Sequence, residues 1–82
     1  MIIARIAGAT REIGKSQGYL GLPLRDEPID CPVNGPQTPS MVTAWTPTPD
    51  EIARLQAGAP VYLRILGTVH PPVMLTVGEI PE

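Results

Sequence analysis

The sequence predicts an α+β fold: a small antiparallel sheet or partial barrel of four to six short strands, with one short helix at about residues 49–57. Three observations carry this prediction. Short runs of β-branched and apolar residues recur along the chain, 11 prolines and 8 glycines interrupt them, and one segment carries a complete helix-start signal. The 82 residues are enough for one small domain, residues 1–82.

The first strand is expected at residues 2–7, a β-branched run that ends at a glycine. Residues 8–39 are rich in glycine and proline. Because proline has no backbone N–H, only short edge strands are expected in this region, at residues 20–25 and 29–33. The dipeptide Asn34-Gly35 predicts a turn. Residues 40–45 are the next candidate strand.

The clearest local signal is the helix start at Thr48. Thr48 is suited to cap the first backbone amides, a proline follows at the first helical position, and Glu51 completes a capping box. The helix is expected to end at Gly58, which suits a left-handed C-terminal cap. Ile52 and Leu55, three residues apart, are expected to form the stripe that it buries against the sheet.

Two alternating runs near the end of the chain predict a final hairpin. In residues 60–66 and again in residues 73–77, apolar side chains recur at every second position. This period is typical of strands with one buried face. Residues 67–72, which contain two prolines, are the expected connection.

The composition predicts a thin core. Phenylalanine is absent and there is one tryptophan, and a chain of this length buries only about 60–65% of its unfolded surface. The single Cys31 excludes an internal disulfide, and no cysteine and histidine cluster indicates a metal site or cofactor. Since small cores are usually supplemented in some way, we expect the chain to form a homo-oligomer.

The charge and hydropathy patterns exclude several classes of partner. A net charge of −2 does not favour nucleic acid or a membrane surface. No apolar run approaches the roughly 18–20 residues of a membrane span, and no export signal is recognisable. With one thiol, the chain is expected in the cytosol.

Residues 9–16 fit the pattern of a phosphate-binding loop, but the residues after them do not support an NTPase. That loop requires a following helix whose amides hold the phosphate, and here Gly18, Gly21 and Pro23 occupy that position. Cys31 follows an acidic residue, which disfavours the thiolate, so it is expected to pack in the core. With no nucleophile, base or metal set, no catalytic residue is predicted and the chain is not expected to be an enzyme.

A candidate ligand site remains in the same region. Guanidinium and ammonium groups bind anions, aromatic rings offer stacking faces, and backbone amides near glycines approach an anion closely. The candidate ligand-binding residues are Arg11, Lys15, Gln17, Tyr19, Arg25, Trp45 and His70. The alternative is that the aromatic residues pack in the core and the arginines are solvated.

Four segments resemble a family of small proteins encoded by tailed phages and prophages, most of them uncharacterised. They are residues 9–11, residues 17–26, residues 43–49 and residues 70–74. The resemblance covers nearly the whole chain and implies a phage origin, and hence the host cytoplasm. It carries no known activity, so no residue role follows from it.

Small phage accessory proteins often counter host defences, so the resemblance favours an anti-defence role by analogy. The first expectation is a non-catalytic protein that sequesters a small anionic, nucleotide-like ligand. The second is a protein–protein inhibitor of a host immune effector, such as an anti-CRISPR protein, in which the acidic stretch of residues 26–51 imitates nucleic acid. The third is a virion assembly component.

Overall fold

The computed structural model describes residues 1–80. Short strands dominate it, with one 3-10 turn at Lys15–Gln17 and one α-helix. The elements are β1 (Ile2–Ala4), β2 (Arg11–Ile13), β3 (Leu22–Asp26), β4 (Ile29–Cys31), β5 (Gly35–Thr38), β6 (Met41–Val42), β7 (Ala44–Thr46) and α1 (Pro49–Gln56).

The strands pair in three small antiparallel sheets. β1 pairs with β7, β4 pairs with β5, and the third sheet has the order β2-β3-β6. The expected α+β class is confirmed at this level, with more strand than helix. A closed barrel does not form within residues 1–80. The first strand is shorter than expected, since it ends at Ala4, and β2 is a strand that the sequence patterns do not predict.

β3 is a central strand, although the prolines around it predicted only an edge. Pro23 lies opposite Glu12 of β2. The pairing with β6 begins beyond the proline, at Arg25 and Asp26. Proline has no N–H group to donate to a second neighbouring strand. Pro23 is tolerated because β6 pairs only with Arg25 and Asp26, which do have N–H groups.

β4 and β5 form a hairpin at the turn that Asn34-Gly35 predicted. Residues 32–34 form the turn, Gly35 has a φ of 91°, and Cys31 pairs with Gly35 across it. Gln37 also has a positive φ, 58°, and the register of this pair is irregular. The predicted turn is therefore present, with Asn34 as its last residue and Gly35 as the first residue of β5.

The helix confirms the capping signals. The Thr48 hydroxyl accepts from the Glu51 amide at 3.3 Å, and the Glu51 carboxylate accepts from the Thr48 amide at 2.9 Å. At the other end, Gly58 has a φ of 96°. The Gly58 and Ala59 amides bond back to the Leu55 and Arg54 carbonyls, which is the Schellman arrangement.

The prediction that Ile52 and Leu55 form a buried stripe on this helix is wrong. Ile52 remains 44% exposed and Leu55 36% exposed, and no residue of α1 is buried. The helix ends were correctly placed because capping is local, whereas burial depends on another surface that covers the stripe. No sheet within residues 1–80 does so.

The expected C-terminal hairpin is also wrong. Residues 59–80 contain neither strand nor helix, although both alternating runs lie within them. Nearly all of these residues are exposed, including Tyr62 at 90% and Val77 at 99%. We call residues 60–80 the apolar tail. Its period-2 pattern has no strand beside it to pair with among residues 1–80.

The core is correspondingly small. Leu24 of β3, 1% exposed, is the only fully buried large side chain among residues 1–80. Its neighbour Pro23 is the other residue classed as buried. Within the same residues, no helix has the length and apolarity needed to cross a bilayer.

Candidate functional site

The candidate site centres on a tight loop between β2 and β3, residues 14–21, which we call the glycine loop. Gly14 and Gly18 bound the 3-10 turn, both with left-handed backbone angles, φ 87° and 86°. The amides of Gln17 and Tyr19 both donate to the Gly14 carbonyl at 3.1 Å. A side chain at either glycine would strain this backbone. The loop therefore has a defined shape, and it replaces the α-helix that a phosphate-binding loop requires.

Three of the predicted site residues lie on this loop, and all three are exposed. They are Lys15, Gln17 and Tyr19. Tyr19 is 65% exposed, so its ring is not a core element. Lys15 makes no ion pair with any residue in the described part of the chain. An ammonium, an amide and an aromatic face are thus presented within five residues.

Arg11 on β2 is bound by a carboxylate of its own chain. Its Nε and Nη2 donate to the two oxygens of Asp26 at 3.1 and 3.0 Å. The Thr10 hydroxyl donates to the same carboxylate at 2.6 Å. Hydrogen bonding to Arg11, the larger cause, and to Thr10 lowers the pKa of Asp26. This two-pronged pair links β2 to β3, which is a structural role for Arg11.

Arg25 is held in a similar way on the opposite face. Arg11 lies directly opposite Leu24, so the next residue along β3, Arg25, points to the other side of the sheet. There its guanidinium donates to the Ala7 carbonyl at 2.9 Å and to Glu27 at 3.1 Å. The two arginines do not converge on one ligand position within this chain.

Trp45 and His70 lie on other elements. The Trp45 indole N–H donates to the Thr43 hydroxyl at 3.0 Å, and the ring remains exposed on β7. His70 lies in the apolar tail, where its Nδ1 is 2.7 Å from the carbonyl oxygen of Pro71. Each is accessible, and neither side chain contacts the glycine loop through a hydrogen bond found in residues 1–80.

The acidic stretch is largely neutralised by ion pairs. Only Asp30 of its five carboxylates has no ion-pair partner among residues 1–80. The other four pair as Asp26 with Arg11, Glu27 with Arg25, Asp50 with Arg54, and Glu51 with the N-terminal ammonium. The stretch therefore does not present a continuous acidic surface.

Cys31 departs from its expected core role. It is half-buried, and its sulfur accepts from the Asn34 amide at 3.4 Å. The turn amides of Asn34 and Val33 lower the pKa of the thiol, so the expected effect of the neighbouring acidic residue is not the decisive one. Among residues 1–80, no group of three potential metal ligands comes together.

The chain matches no protein-family model, no curated protein and no solved structure. The geometry of the described residues is therefore what supports the choice of ligand-binding residues.

Proposed function

We propose that the protein is a non-catalytic phage-encoded binding protein that counters host defence by sequestering a small anionic, nucleotide-like ligand at the glycine loop. The observation that carries the ligand-binding part of the proposal is that an exposed ammonium, Lys15, and an exposed aromatic ring, Tyr19, lie on the same short loop. The phage origin and the anti-defence role rest on the resemblance of the sequence segments alone. A nucleotide offers the complementary groups, a phosphate and a flat base. Stacking on an aromatic side chain contributes about 1–3 kcal/mol per base.

The ion pairs of Arg11 and Arg25 make these two residues less suitable as ligand contacts. Arg11 and Arg25 are each bound by a carboxylate, so a phosphate would have to displace a partner that is already well placed. We therefore assign phosphate binding to Lys15, base stacking to Tyr19 and recognition of polar edges to Gln17. Arg11 is assigned to holding the loop's two flanking strands together.

Calorimetry with ADP-ribose and cyclic nucleotides tests this assignment. Loss of a charge-assisted hydrogen bond of about 1.5 kcal/mol, as in Lys15→Ala, weakens binding about tenfold. Tyr19→Ala is expected to weaken it by at least as much. Arg5→Ala removes an equal charge from an exposed residue outside the loop, and its affinity should match the wild type.

Two results would contradict the proposal, the first its ligand class and the second its site. If the wild-type protein binds none of these nucleotides, nucleotides of this kind are excluded as its ligand. Binding that survives Lys15→Ala and Tyr19→Ala but is lost in Arg11→Ala would move the site from the loop to the strands.

A second candidate function, a protein–protein inhibitor or virion assembly component, is favoured by a different observation. The apolar tail exposes many large hydrophobic side chains, and exposed apolar surface marks protein contacts. This candidate requires that a protein other than a second copy of the chain covers the tail. Imitation of nucleic acid by the acidic stretch is not favoured, since four of its carboxylates are paired. Pull-down from infected cells and mass spectrometry of purified particles test this candidate.

A further inference from the structure

The apolar tail combines a strand-like pattern with an absence of strand partners within residues 1–80. Val61, Leu63 and Ile65 recur at every second position, as do Val73 and Leu75. A strand that alternates in this way normally buries one face. Here neither run belongs to a sheet.

The surface area shows that the chain is open for its size. Its accessible surface is 7385 Å², compared with about 4,800 Å² for a compact monomer of this mass. Its radius of gyration is 14.6 Å, compared with about 11.7 Å for a compact domain of this length. The excess of roughly 2,600 Å² slightly exceeds the area of about 1,000–2,500 Å² that an obligate interface commonly removes from each subunit.

We propose that the apolar tail is the interface of a homo-oligomer, in which its two runs become β-strands paired with a second copy of this chain. This proposal does not depend on the ligand assigned to the glycine loop. Three features favour a second copy as the occupant. The first is the area, which fits an obligate rather than a transient contact.

The second feature is the core. With Leu24 as its only fully buried large side chain among residues 1–80, the chain depends on a partner that is present whenever it is synthesised. A second copy meets that condition, and binding to the folded state adds directly to stability.

The third feature is self-complementarity. Arg64 is the only Lys, Arg, Asp or Glu between residues 59 and 78, so two tails meet with little charge repulsion. The start of the tail, Pro60 to Tyr62, borders a depression that it shares with Leu55 and with the charged Glu51 and Arg54. The rest of the tail offers an apolar surface with few charges, which suits the isologous contact of a symmetric dimer.

Light scattering after gel filtration, across a dilution series, gives the first test. The wild type should have a mass at least twice 8.8 kDa. Leu75→Asp, on the face shared with Val73, should lower the mass or shift the dissociation to a higher concentration. Thr76→Asp adds the same charge one position along, on the other face of the run, and should remain associated.

Hydrogen exchange keeps the proposal testable if Leu75→Asp fails to fold. Amides of residues 61–66 and 73–77 in the wild type should be protected at high concentration and lose protection on dilution. A monomer with unprotected tail amides overturns the proposal and leaves the tail to a different protein. A monomer with protected tail amides also overturns it, since the tail would then pair within its own chain. An oligomer with an unprotected tail places the interface elsewhere. None of these results bears on nucleotide binding by the glycine loop, which is measured separately.

Discussion

Leu24→Ala is expected to remove a large part of the stability of this fold. Leu24 is 1% exposed on the central strand, and its carbonyl accepts from the Thr10 amide at 2.8 Å. Substitution of a buried leucine by alanine costs about 2–5 kcal/mol, depending on how far the site collapses. Because few buried neighbours hold the cavity open, we expect the lower half of this range, about 2–3.5 kcal/mol.

The free energy lost in Leu24→Ala is large compared with the total free energy of unfolding. At about 0.05–0.15 kcal/mol per residue, a chain of this length has roughly 4–12 kcal/mol. For a domain of this size, each kcal/mol lowers the melting temperature by about 4–8 °C. Leu24→Ala should therefore lower the melting temperature by at least about 8 °C. The decrease exceeds about 20 °C if the lost free energy and the shift per kcal/mol both lie at the top of their ranges.

Urea unfolding followed by circular dichroism measures the effect, at one fixed protein concentration so that association does not differ between variants. Leu20→Ala is the matched control, because Leu20 is 83% exposed and such surface changes usually stay within about 0.5 kcal/mol. Equal unfolding free energies for the two variants would refute the conclusion that Leu24 organises the core.

Two further predictions concern the helix. Thr48→Ala removes the N-terminal cap and should lower the free energy of unfolding by about 1 kcal/mol. Thr48→Ser keeps the hydroxyl and should lower the free energy of unfolding less. Equal losses for the two variants in urea titrations would contradict the capping role. The pKa of Glu51 is lowered from 4.5 to about 2, first by the hydrogen bond from the N-terminal ammonium and then by the Thr48 amide. Its contribution to stability is therefore complete above pH 4.5 and is lost as the pH falls towards 2. Glu51→Gln should flatten this part of the pH profile of the urea midpoint, and an unchanged slope would show that other carboxylates produce it.

Local signals in the sequence predicted local structure well. The capping box at Thr48, the glycine that ends the helix and the Asn34-Gly35 turn each depend on residues within a few positions of one another. These features need no knowledge of what the rest of the chain does. The single strand predicted at residues 40–45 is found only as two short strands, β6 and β7, which are separated at Thr43 and belong to different sheets.

Features that depend on distant partners were not predictable in the same way. The pairing of Arg11 with Asp26 follows from the register of β2 against β3, which no short motif specifies. The same register places Arg25 on the opposite face from Arg11. A list of basic residues could therefore name candidates for the ligand site, but it could not show that the two arginines diverge.

The alternating pattern of the apolar tail illustrates the same limit. A period of two residues indicates that a segment is suited to be a strand, but it does not say which strand lies beside it. The predicted hairpin requires a partner within the chain, and residues 1–80 do not supply one. A second copy of the chain could supply the partner strand that this alternating pattern requires.

Native mass spectrometry of the protein purified from bacteria, with and without added ADP-ribose and cyclic nucleotides, tests the central claim of ligand sequestration most directly. We predict that the protein retains the mass of a bound nucleotide, and that Lys15→Ala loses it while Arg5→Ala keeps it. Wild-type protein that carries no nucleotide mass under any of these conditions would contradict the claim.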